Sequence, residues 1–228
     1  MEGIDFKKPL FRKKLYLSTK PYFLKRSRED GEKDLEKLVD TSNCEGCWLF
    51  DIDNSVWLNL VSATEQIPHD KGINGLRAKL FPIDFTYFES FSHYHFHPKT
   101  KEDELKQTMA YSTNQKAKEI MENYAAISLA IPSSKDISEY LKIIRKKPSF
   151  VDFKIASPRG IITINFDKLD EFDSPKKRYS EVTTAKNVTG IAVKARNPNE
   201  AILQGINYIN EAMKPIFIMR FEYRKELI

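Results

Sequence analysis

The chain has 228 residues, 41% of them hydrophobic and 12% aromatic, enough to bury one sizeable core or a core with an appended subdomain. No stretch approaches the roughly 20 apolar residues of a membrane span. The start Met1-Glu2-Gly3-Ile4-Asp5-Phe6 lacks the apolar segment of a secretory signal, so the expectation is a soluble, cytoplasmic protein without a membrane partner. Two cysteines, Cys44 and Cys47, are too few for a disulfide scaffold, and the net charge of +5 is modest.

That charge is unevenly spread. Residues 1–28 carry nine Lys/Arg against two acids, and residues 29–40 hold six acids and two lysines, which reads as an N-terminal arm over 1–39, basic then acidic. Its basic part, with Phe6, Phe11, Arg12, Lys13, Lys14 and Tyr16, could meet nucleic acid or an acidic partner, but the favoured reading is a docked or solvated terminus.

Apolar runs Cys47–Phe50 and Val56–Val61 flank the turn-forming Asp51–Ser55, the pattern of a hairpin. Residues 66–84, with Pro68, Gly72, Gly75 and Pro82, read as a long loop. A strand from Phe85 to His97 follows, ended by Pro98, which cannot donate to a ladder. Apolar residues then recur at helical spacing from Lys101 to Ile127, and a second helix opens near Ser133 or Ser134 with Ile137, Tyr140, Leu141 and Ile144 on one face. Phe150–Ala156 and Ile161–Phe166 form a second predicted hairpin across Ser157–Gly160, and 167–187 reads as a polar loop. The end reads as β-α-β: strand Ile191–Ala195, a helix opened by Asn197-Pro198-Asn199-Glu200, and strand Ile216–Tyr223.

Three of the four histidines, His93, His95 and His97, alternate along the predicted strand and so share one face with Tyr87, Glu89 and Phe91. Two imidazoles spaced i, i+2 can converge on one ion at about 2.0–2.1 Å. The alternative for the triplet alone is a polar face that is merely rich in histidine. Downstream, Ser133 stands three residues before Asp136 at a helix start, a spacing that also makes a capping box without any metal.

Together, His95-Phe96-His97-Pro98 and Ser133-Ser134-Lys135-Asp136 resemble the JAMM (JAB/MPN) metalloprotease signature, His-x-His-Pro followed by Ser-x-x-Asp. The resemblance covers residues 40–168, with 33 residues of helical pattern inserted between Pro98 and Pro132, about 99–131. It implies an α/β (α+β) fold, a mixed sheet of the JAMM/cytidine-deaminase-like type with flanking helices, and leaves 169–228 as a C-terminal extension or subdomain. It also implies Zn2+ held by His95, His97 and Asp136, Ser133 as oxyanion donor, and Glu45 as general base, with Glu65 second choice and Glu89 the poorest fit. The implied activity is hydrolysis of a peptide or isopeptide bond in a protein or peptide substrate, a ubiquitin-like tail among them. His93 takes a supporting or surface role. The rival readings are a JAMM-like scaffold without catalysis and a nucleic-acid-binding protein using the basic arm. Among weaker signals, Cys44-x-x-Cys47 lacks the second pair of a zinc ribbon, His69 falls in the long loop, and a cupin-like set with Glu102 lacks flanking glycines.

Overall fold

The computed structural model describes residues 14–17, 22–43, 45–62, 89–100, 102–104, 114–146, 150–166, 175–214 and 216–224. Seven strands form one mixed sheet: β1 (Tyr22–Lys25), β2 (Gly46–Asp51), β3 (Val56–Ser62), β4 (Phe91–Phe96), β5 (Phe150–Ser157), β6 (Gly160–Phe166) and β7 (Phe217–Tyr223). Their order is β1-β3-β2-β4-β5-β6-β7, so the histidine strand is central. It pairs antiparallel with β2 and parallel with β5, and the other ladders are antiparallel. Both predicted hairpins are present, as β2–β3 and β5–β6. The class is α+β, as expected.

Helices cover both faces. Helix α1 (Arg28–Thr41) lies on one face with Leu35 and Val39 turned inward, over a core of Trp48, Phe50, Trp57, Tyr94 and Phe96. On the other face lie α2 (Gln115–Ala130), α3 (Ser134–Lys146), α4 (Pro175–Val182), α5 (Ala185–Lys194) and α6 (Pro198–Met213), over a core that includes Leu49, Phe153, Ile155, Ile162 and Ile164. Every residue of β4 is buried, because the strand is covered from both sides.

Four local readings change. The acidic half of the N-terminal arm is α1: Ser27 caps it by accepting from the Asp30 amide (3.1 Å), Glu29 and Asp30 favour the positive end of its dipole, and Gly31, Leu35 and Val39 form a buried stripe. The segment 167–187, read as a loop, contains α4, whose Pro175 and Tyr179 are the buried positions among charged neighbours. Of the expected strand Ile191–Ala195, all but the capping Ala195 belongs to α5: Thr184 caps that helix, and Val188 and Ala192, four apart, face the core, so packing outweighs the local β preference of Ile-Ala-Val. The C-terminal unit is thus α-α-β rather than β-α-β. Finally, the histidine strand starts at Phe91 among the described residues, and the stretch 63–88, with Glu65, His69 and Tyr87, lies outside them.

The C-terminal segment belongs to the same sheet and core. Strand β7 pairs with β6 along its whole length, and Ile202, Ile206 and Ile209 of α6 join the core beside α2. The amide of Asn210 closes the outer edge of β7, donating to the Met219 carbonyl (2.9 Å) and accepting from the Met219 amide (2.7 Å). Beyond β7, Arg224 forks onto Asp40 at the end of α1. Near the N-terminus, the Leu15 amide donates to Asp34 and Tyr16 stacks on Tyr22 at 4.2 Å, so residues 15 and 16 are docked. No helix among the described residues is long and apolar enough to cross a membrane.

Candidate metal centre

Strand alternation gathers the candidate ligands. His95 stands opposite Cys47 and His93 opposite Leu49 in the β2–β4 ladder. Glu45 immediately precedes β2, two residues before Cys47, so its side chain leaves the same face at the His97 end. The His97 amide donates to Ala156 O (2.8 Å), extending the ladder past β4 and keeping His97 in phase with His95.

Glu45, His95 and His97 form a compact cluster, each offering a ligand atom within 4.8 Å of the others. His95 Nε2 lies 3.3 Å from Glu45 Oε2 and His97 Nε2 lies 3.8 Å from Glu45 Oε1. The two rings meet nearly edge to face, 4.7 Å apart at 78°. Behind His97, Nδ1 faces Leu129 O at 2.5 Å. That carbonyl belongs to the last turn of α2, where carbonyls lack intrahelical partners and carry the negative end of the dipole. The contact makes Nδ1 the protonated nitrogen and leaves the Nε2 lone pair turned to Glu45, the arrangement that supports metal-binding histidines.

Asp136 enters from α3 on the other side of His95, with Oδ1 3.9 Å from Nδ1. Asp136 and Ser133 make a reciprocal capping pair. The Ser133 amide donates to Asp136 Oδ2 (2.8 Å) and the Asp136 amide donates to Ser133 Oγ (3.2 Å). Ser133 lies at the exposed rim, where its Oγ accepts from the Asp136 amide and its O–H faces the Asp136 carboxylate. Burial alone would raise the Asp136 carboxyl; His95, the Ser133 hydrogen bonds and His97 outweigh it and hold the group below its ordinary value.

All five residues singled out by sequence, Glu45, His95, His97, Ser133 and Asp136, therefore come together. The carboxylates divide the space differently from the resemblance: Glu45 faces Nε2 of both rings, and Asp136 faces the rear nitrogen of His95. Glu89 is exposed ahead of β4, far along the strand from His97. Glu102 is buried and held by Arg159 of the β5–β6 turn at 3.1 Å, which occupies it as an ion-pair partner. His93 belongs to neither the surface nor the cluster. It is enclosed between Tyr140 (5.5 Å) and Phe153 (5.6 Å), and burial, assisted by the charge of His95, lowers its imidazole to about 3, so it is neutral. Burial, then Glu45 and Asp136, push the Cys47 thiol upward, which keeps it protonated and poorly nucleophilic. Cys44 and Glu65 lie outside the described residues.

Sequence reading missed two supports. Leu129 acts through its carbonyl, which no side-chain motif can signal. Helix α4 fixes the Ser133 turn: Tyr179 OH donates to Pro132 O (2.6 Å) and Ser180 Oγ to Ser134 Oγ (2.9 Å). A polar segment with one buried tyrosine gave little warning of that.

No family model, no curated protein and no solved structure matches the chain.

Proposed function

We propose that the protein is a metal-dependent hydrolase of peptide or isopeptide bonds, with a zinc ion held by His95 Nε2, His97 Nε2 and a carboxylate. The observation that carries this reading is the convergence of both Nε2 atoms on Glu45, with His97 locked in the required tautomer by Leu129. Two neutral imidazoles and a carboxylate are the donor set of catalytic zinc sites, which keep one position open. Bound there, zinc supplies Lewis acidity and lowers the pKa of water towards 7.

The chain's own groups supply the rest. The carboxylate not ligating the ion accepts and returns a proton. In the JAMM-like assignment this is Glu45, with Asp136 as ligand, which requires the His95 ring turned to bring its metal-facing nitrogen to the Asp136 side, whereas in the ring orientation described Glu45 is the carboxylate beside both Nε2 atoms. The Ser133 hydroxyl, already accepting from the Asp136 amide, donates to an oxygen that gains negative charge. Phe96, Trp48 and Tyr94 pack beneath the opposite face of β4 and hold the histidine spacing rigid. Substrates of the ubiquitin-like-tail class follow from the JAMM resemblance.

The test is metal content and peptidase activity of purified wild type, His95→Ala, Asp136→Ala and Glu45→Gln. One zinc per chain, lost in His95→Ala and Asp136→Ala, with Glu45→Gln retaining metal but not activity, supports the JAMM-like roles. Metal lost in Glu45→Gln but retained in Asp136→Ala makes Glu45 the ligand. Zinc unaffected by His95→Ala rules the centre out.

A further inference from the structure

Two buried polar atoms lie behind the histidine pair without a hydrogen-bond partner among the described residues: His93 Nδ1 and the Tyr140 hydroxyl. Their rings meet edge-on, 5.5 Å between centroids. Buried polar groups are paired in the great majority of cases, and an orphan lowers stability, so each exception calls for a reason.

Packing gives no reason for the Tyr140 oxygen. The ring is stacked on Phe153 at 3.7 Å and is 2% exposed, and a phenylalanine would make the same stack without the stranded hydroxyl. Position does give one. Tyr140 follows Asp136 by four residues on α3, so the two side chains are neighbours on one helix face. Long helical side chains lean back toward the N-terminus, which carries the hydroxyl toward Asp136. Apart from burial, the groups acting on that hydroxyl are Asp136 first, then Cys47, Tyr179 and Glu45.

We propose that Tyr140 is a positioning residue of the metal centre, its hydroxyl donating to the Asp136 carboxylate when the ion is bound; this rests on the metal-centre reading above. The Ser133 amide already holds Oδ2. Oδ1, at 3.9 Å from His95 Nδ1, lies beyond hydrogen-bond distance of that ring. A second donor from Tyr140 fixes the carboxylate in both position and rotation, as the outer partners of metal ligands commonly do. The stranded hydroxyl thus costs stability while it has no partner and becomes a donor to the Asp136 carboxylate once the ion is bound.

The test uses the full chain, with zinc affinity from competition against a chromophoric chelator and melting temperature after chelator treatment. Tyr140→Phe is expected to melt above wild type without metal and to bind zinc about 10-fold more weakly. The visible spectrum of the cobalt(II)-loaded variant should shift as well, because the ligand field changes when the carboxylate beside His95 loses its support. In an Asp136→Ala background, the Tyr140→Phe effect on affinity should vanish. Unchanged zinc affinity in Tyr140→Phe overturns the proposal and leaves the metal centre standing. An effect that persists without Asp136 also overturns it. If wild type binds no zinc, or binds it no better than His95→Ala, both the centre and the role of Tyr140 fall.

Discussion

Replacing Gly31 by alanine should destabilise the protein, although alanine is the better helix former. In an exposed helix the change would gain about 1 kcal/mol. Here a methyl built on Gly31 falls well inside van der Waals contact with Cε2, Cζ2 and Nε1 of Trp57. The indole has no room to retreat: it is 0% exposed, lies 4.9 Å from Phe50 and 4.7 Å from Tyr94, and donates from Nε1 to Ser27 O at 3.2 Å. Overpacking of such a site costs up to about 3 kcal/mol, and weakening the indole hydrogen bond adds about 1 kcal/mol. After the propensity gain the net loss is about 2–3 kcal/mol, or a fall in Tm of about 5–10 °C for a chain of this size. Urea denaturation and calorimetry measure it. Zinc affinity should stay within about twofold, because Trp57 lies on the α1 side of the sheet. A Gly31→Ala protein as stable as wild type would refute the seating of α1 on Trp57.

On the same face, Arg28 donates to Tyr94 OH (2.7 Å), Ser92 Oγ (3.0 Å) and both Asp152 oxygens (3.0 and 3.2 Å). Arg28→Met removes the guanidinium that neutralises the buried Asp152, and should cost about 2 kcal/mol in urea unfolding, a figure reduced for the partial exposure of Arg28. Asn210→Ala strips the edge of β7 of its amide cover. It should lose about 1–2 kcal/mol and show concentration-dependent association by light scattering. Zinc at 100 times its Kd should stabilise wild type by about 2.7 kcal/mol, seen as a higher Tm that chelator reverses and that His95→Ala lacks.

The hairpins, the strand at His93–His97 and the helix after Ser133 were legible because each is a local pattern ended by Pro, Gly or a capping residue. The cluster of Glu45, His95, His97, Ser133 and Asp136 was legible as a set of motifs, and its assembly follows from one ladder and one capped helix. What stayed hidden depends on tertiary partners. Ile191–Ala195 has the composition of a strand and becomes helix because Val188 and Ala192 meet the core. The acids of α1 mask its buried positions, Gly31, Leu35 and Val39, and one of those acids, Asp34, is itself buried. His93 shares the face of its neighbours, yet α3 brings Tyr140 over it, which removes it from the polar cluster. Leu129 contributes through its backbone, and the rear side of Asp136 depends on which way an imidazole is turned.

Helix α2 has a consequence for where this chain can be cut. Its last turn holds His97, while the amide of its Asn123 donates to Ala192 O (3.1 Å) and Ala195 O (2.8 Å) at the end of α5. A fragment drawn around the motifs, residues 40–168, would keep every candidate ligand. It would also unmask the flank of α2 that meets α5 and α6, turn β6 into a bare edge, and lose both the Tyr179 anchor of the Ser133 turn and the Arg224 clasp on Asp40. A piece that carries the centre intact therefore runs at least from β1, which covers the edge of β3 and leads into the Ser27 cap of α1, to Arg224.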